Sequence, residues 1–184
     1  MSNFESAMVI VSIIMGFGVI ALIKGAASAV RAGTSTTPGL LHTLWVAIVL
    51  VQLVGLWSAR WAVEPREDWP FAVLFSFLLL PIVFYAQSVL LFPPQGRETK
   101  LSEYFLENRR PFFSLAVLSY LLAWFGPQMF YGGVATTGDR GLALGIYVAV
   151  SVFLALSSNE RLHVVWALVI LVRTTLTYGG LSVG

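Results

Sequence analysis

Six apolar stretches recur along this chain, at about Ser6–Val30, Leu40–Arg60, Pro70–Phe92, Pro111–Tyr131, Gly141–Ser157 and Leu162–Val183. A hydrocarbon core about 30 Å thick takes about 20 helical residues to cross. Backbone within lipid must satisfy its own hydrogen bonds, which leaves helices as the form such stretches adopt. The segments between them, such as "RAGTSTTPG", "VEPREDWP", "GGVATTGDRG" and "SSNER", have the glycine, proline, threonine and charge of turns. The pattern predicts an all-α, polytopic membrane protein. We expect one integral domain over residues 1–184 with six transmembrane helices and one short interfacial helix.

Composition agrees: 58% of the 184 residues are hydrophobic and 11% are charged. A soluble domain is about half apolar and roughly a quarter charged. The opening "MSNFESAMVIVSIIMGFGVIALIKG" has Glu5 as its only early charge. A secretory signal begins with positive charge and has a shorter apolar run, so this segment is expected to remain as a spanning helix.

The longest connection is "PPQGRETKLSEYFLENRRP". Leu101, Tyr104 and Phe105 fall on one face of a helix there, with charges around the rest. That predicts a short helix lying on the membrane surface and ended by Pro111. On the first stretch Gly18, Ala21, Gly25 and Ser28 share a face that a second helix can approach closely. Pro81 is expected to kink the third helix, and Gly126-Pro127 to break the fourth.

Lysine and arginine set the orientation. Lys24, Arg31, Arg97, Lys100, Arg109, Arg110 and Arg161 gather on one side; Arg60, Arg66 and Arg140 lie on the other. The richer side is expected to be cytoplasmic, with both termini outside. Trp57, Trp61, Trp69 and Trp124 would then form an outer aromatic belt, with Trp45 and Trp166 near the inner surface.

The absence of cysteine excludes disulfides, thiolate catalysis and cysteine metal sites. A formal charge of +2 with no basic tail leaves nucleic acid without an electrostatic footprint. No Ser–His–Asp set, HExxH or phosphate loop stands at useful spacing, so neither catalytic nor metal residues are assigned. "TYGG" has the wrong order and context for a potassium filter.

What remains is a small set of polar residues within apolar helices. Arg173 stands in the middle of "LHVVWALVILVRTTLTYGG", where a charge costs about 2.5–3.5 kcal/mol on insertion scales. Lys24 is close enough to the inner end of its helix for its stem to reach the surface. The second stretch contains His42, Trp45 and Gln52; the sixth contains His163, Trp166 and Arg173 at the same spacing. Each set lies on one helical stripe, and both helices are expected to run from inside to outside and to be neighbours or to line one polar interior. Tyr85, Gln87, Tyr120 and Tyr147 are also deep, and with Gln52 could ring Arg173. None of the nine carboxylates is deep, which leaves carbonyls, tyrosines, an anion or a lipid phosphate to meet the guanidinium. His42 and His163, the only two histidines, would be the ligands if the chain held haem, with Arg31 or Arg161 toward its propionates.

The segments "NFESAMVIVSIIMGFG", "LLHTLW", "EYFLENRRPFF" and "NERLHVVW", spread over most of the chain, resemble small multipass proteins of the bacterial inner membrane. That resemblance implies an inner-membrane address and no activity. From the residues, the expected function is a small channel or transporter whose pathway passes Arg173, for an anionic solute or ion. The residues assigned to it are Arg173, Gln52, His42, His163, Trp45, Trp166, Tyr120, Tyr147, Tyr85 and Lys24. The alternatives are an accessory subunit of a larger membrane complex and, more weakly, a haem- or quinone-binding redox protein. Membrane lipids and either copies of the chain or partner subunits are the expected partners.

Overall fold

A computed structural model describes residues 3–31, 39–61, 71–94, 99–131 and 139–178. The described residues form seven α-helices and no strand. These are α1 (Asn3–Arg31), α2 (Leu40–Trp61), α3 (Phe71–Leu90), α4 (Leu101–Glu107), α5 (Arg109–Tyr131), α6 (Asp139–Leu156) and α7 (Glu160–Tyr178). Two segments, Phe4–Arg31 and Leu40–Ala59, are long and apolar enough to cross a membrane. The last turns of the expected sixth stretch, residues 179–184, and Trp69 lie outside the described residues.

Side-chain contacts fix the directions of the helices. Trp57 donates its indole N–H to Ser12 Oγ at 3.2 Å, and Leu53 lies against Gly18, so α1 and α2 are antiparallel. Ser88 also faces Gly18, and Phe92, just beyond α3, faces Gly25, so α1 and α3 are parallel. The Tyr120–Tyr147 ring pair and the approach of Trp124 to Gly141 make α5 and α6 antiparallel. The most extensive helix pairs are α1 with α3, α5 with α6, α3 with α5, and α2 with α7. The neighbouring of α2 and α7 is what their matched stripes anticipate. By contrast α6 and α7 do not pack closely backbone to backbone, although only Ser157–Asn159 separates them.

Close packing in an apolar solvent requires small residues at the contact. Gly18 is buried where α1, α2 and α3 meet, and a Cβ there would come 3.1 Å from Leu53 and 3.3 Å from Ser88 Oγ. The glycine face of α1 is therefore spent within the chain, against α2 and the end of α3.

The amphipathic α4 buries Leu101, Tyr104 and Phe105, as its spacing predicts. It does not run to Pro111. Asn108 ends it, donating from its backbone N–H at 3.1 Å and from Nδ2 at 3.0 Å to the Tyr104 carbonyl. Pro111 instead sits in the first turn of α5, where helix N–H groups have no partner in any case. Pro81 is accommodated inside α3. Further along, α5 continues through Gly126 and Pro127 to Tyr131, so the expected break there does not occur.

Candidate functional site

The polar and aromatic residues singled out from the sequence do not form one ring. They separate into two clusters at different levels of the bundle, with four residues left apart.

One end is closed by aromatic rings. Phe105 of α4, Phe112 and Phe113 of α5 and Trp45 of α2 are all buried. The Trp45 ring stacks on Phe105 at 5.8 Å and meets Phe112 and Phe113 edge-on at 5.3 and 5.2 Å. His163 of α7 joins the group, 5.4 Å from Phe113 and 6.0 Å from Phe105. Trp45 and His163 share these neighbours near the first residues of their helices, so α2 and α7 run in the same direction. The tryptophan expected near the inner surface thus lies in the protein core at that end.

Both histidines cap helix ends. The last carbonyls of a helix lack intrahelical donors. His42 is buried with Nε2 2.8 Å from the Leu91 carbonyl, just past α3. His163 places Nε2 2.9 Å from the Ser157 carbonyl, just past α6. A carbonyl only accepts, so each Nε2 carries the proton. Haem ligation through Nε2 would require each histidine to give up that bond. His163 Nδ1 and Trp45 Nε1 are buried without a hydrogen-bond partner.

The second cluster draws on α5, α6 and α7. The guanidinium carbon of Arg173 lies 4.2 Å from the centroid of the Tyr147 ring. Tyr147 also meets Tyr120 at 5.2 Å and Trp166 at 5.7 Å. Trp166 and Arg173 are two turns apart on one stripe of α7. A helical side chain leans toward its own N-terminus, so Arg173 reaches back along α7 toward the level of Trp166, where a single ring meets both. The rings of Tyr147 and Trp166 fill the space that keeps the α6 and α7 backbones apart. The indole nitrogen of Trp166 is buried without a partner.

Arg173 is exposed on α7 and rests on an aromatic face. A cation over an aromatic face gains about 0.5–1 kcal/mol when exposed and about 2 when desolvated. Among the described residues no ion pair joins a carboxylate to Arg173, and the exposed Lys100–Glu103 pair, at 3.3 Å, stands at the start of α4. The aromatic shelf therefore holds the guanidinium in place without neutralising it.

The remaining candidates stand elsewhere. Tyr85 is exposed on α3 with its ring 6.4 Å from Phe17 of α1. Lys24 is exposed on α1. Gln52 is half-buried on α2, and no hydrogen bond joins it to Arg173 among the described residues. Gln87 is buried on α3 with its Oε1 unpartnered. The phenylalanines of the closed end were not among the sequence candidates, although "EYFLENRRPFF" places all three beside a charged run. No protein-family model, no curated protein and no solved structure matches this chain.

Proposed function

We propose that the chain is a six-span protein of the bacterial inner membrane that binds and passes an anionic solute or ion at Arg173, in the manner of a small transporter or channel. Membrane embedding is supported by the outer surface of the helices. On α1 alone Val9, Ile10, Ile13, Phe17, Ile20 and Ile23 are all exposed. A soluble monomer rarely shows a continuous apolar belt of that extent. The most apolar window of α1 is only 33% buried inside the fold, whereas the core helix of a soluble protein is mostly covered. At about 1.5 Å per residue, α3, α5, α6 and α7 reach lengths close to the hydrocarbon thickness, and α4 lies at the end where Lys24, Arg109, Arg110 and Arg161 gather, the side that the positive-inside rule would make cytoplasmic.

The observation that carries the functional reading is the guanidinium of Arg173 over Tyr147, with no carboxylate beside it among the described residues. In a low-dielectric surrounding such a charge is poorly screened, and its sign governs what approaches. The test is anion flux into liposomes, run beside thermal unfolding for wild type, Arg173→Gln and Arg173→Lys. Transport at this residue requires anion flux in wild type that Arg173→Gln abolishes and Arg173→Lys partly keeps, with all three proteins folded. Flux that is unchanged in Arg173→Gln, together with a lower melting temperature, would reject it.

A second reading is favoured by the aromatic closure around Trp45, Phe105 and Phe113. A bundle closed at one end is suited to a subunit that packs against partner helices, with its polar groups structural. Native mass of the gently solubilised protein separates the two, because a heteromeric assembly supports the subunit reading.

A further inference from the structure

The cluster at Arg173 has a composition that specifies its complement. The guanidinium supplies five N–H donors, the Trp166 indole nitrogen is a donor buried without a partner, and Tyr120 and Tyr147 add hydroxyls. The matching ligand is an anion with several acceptor oxygens.

The route by which it arrives follows from α7. Trp166, Val169 and Arg173 recur at helical spacing on the stripe that faces the α6 side. Val169, between the other two, is 46% exposed. Backbone to backbone α6 and α7 do not pack closely, and α7 exposes Arg173. The surfaces beside it are apolar and uncovered, with Ile146 and Phe153 exposed on α6 and Val172 exposed on α7. An amphiphile within the bilayer matches both the charge of Arg173 and the apolar surfaces beside it.

We infer that the exposed face of α6 and α7 binds an anionic phospholipid, with its phosphate against Arg173 and a hydrocarbon chain along the apolar residues of the two helices. A guanidinium meets a phosphate with two parallel hydrogen bonds, a geometry an ammonium lacks. The inference rests on the reading of Arg173 as an anion site, and narrows its ligand to one that enters through the membrane.

The test follows thermal unfolding of the full chain in neutral detergent micelles, with phosphatidylglycerol, phosphatidylcholine or inorganic phosphate added. A ligand that binds only the folded state raises the melting temperature as its concentration rises. Wild type should be stabilised saturably by phosphatidylglycerol and by neither of the other two. Arg173→Gln should lose about tenfold or more in apparent affinity, while Arg173→Lys keeps part of it. If Arg173→Gln does not fold, the Arg173→Lys titration and the amount of phosphatidylglycerol retained in native mass spectra decide the matter. Stabilisation by inorganic phosphate alone would assign a small anion, overturning the lipid while leaving the anion site intact. Equal stabilisation of wild type and Arg173→Gln would place the lipid elsewhere and overturn the inference. No response to any of the three additives would overturn the lipid and remove the support for an anion site as well.

Discussion

Gly25 on α1 leaves the space that the ring of Phe92 occupies, and a Cβ at Gly25 would clash with that ring. Phe92 in turn meets His42 edge-on at 5.0 Å. The missing side chain therefore lets the end of α3 settle over both α1 and the start of α2. Gly25→Ala should destabilise the fold by about 1–3 kcal/mol through overpacking. Gly16→Ala, with nothing within 4 Å of its Cβ, is the matched control and should be neutral or slightly stabilising. Melting curves in one detergent compare the two, and Phe92→Leu should recover part of the loss in the Gly25→Ala background.

Removal of a histidine cap leaves a carbonyl unsatisfied. His42→Phe keeps the ring volume beside Phe92 but withdraws the donor to the Leu91 carbonyl. The expected cost is about 1–3 kcal/mol. His42→Gln, which can donate from its amide, should recover part of it. If His42→Phe were as stable as wild type, the bond at 2.8 Å would contribute nothing to the fold.

Trp45 should be among the most sensitive positions in the chain. Its ring contacts Phe105, Phe112 and Phe113 and is 3% exposed. Trp45→Ala should cost about 3–5 kcal/mol. Trp45→Phe should cost less, because the unpartnered indole nitrogen loses no hydrogen bond on removal. Chemical unfolding in mixed micelles provides the comparison.

Tyr147 separates the aromatic shelf from its hydroxyl. Tyr147→Phe keeps a face under Arg173 and should leave stability within about 0.5 kcal/mol of wild type. Tyr147→Leu removes the face and should cost about 1–2 kcal/mol more than Tyr147→Phe. Equal losses in the two variants would mean that the contact at 4.2 Å carries no attraction.

The proposed topology is tested with reporter fusions. Fusions after Gly33 and Gly96 should behave as cytoplasmic, and one after Gly184 as external. A cytoplasmic report from Gly184 would mean an odd number of crossings.

The sequence exposed the elements better than their faces. The apolar stretches, the buried side of α4 and the matched stripes of α2 and α7 follow from residue spacing. The placing of Tyr120 and Tyr147 near Arg173 follows the expected ring, but Tyr85, Gln87 and Gln52, expected in the same ring, stand apart from it. The sequence did not reveal that Trp45 is buried, that Gly25 makes room for Phe92, or that Phe105, Phe112 and Phe113 close one end. Lipid is as apolar as a protein core, so the residues facing each are alike and periodicity does not separate them. Ile13 is exposed and Val11 buried, two residues apart on α1, with nothing in their chemistry to say which is which. Proline misled for a related reason. Its meaning depends on position within a helix, and Pro111 begins α5 where a stop was expected.

The pairing of α2 with α7 has a consequence for biosynthesis. The partners of α1 and α5, namely α3 and α6, are made soon after them, but α2, which also packs on α1 and α3, gains its most extensive partner only with α7. Synthesis at about 5–20 residues per second keeps that surface uncovered for several seconds or longer. A ribosome that stops before residue 160 leaves the ring of His163 missing from Phe105 and Phe113. Until α7 is made, the face of α2 that it covers stays open, so α2 gains its most extensive contact after every other described helix has been synthesised.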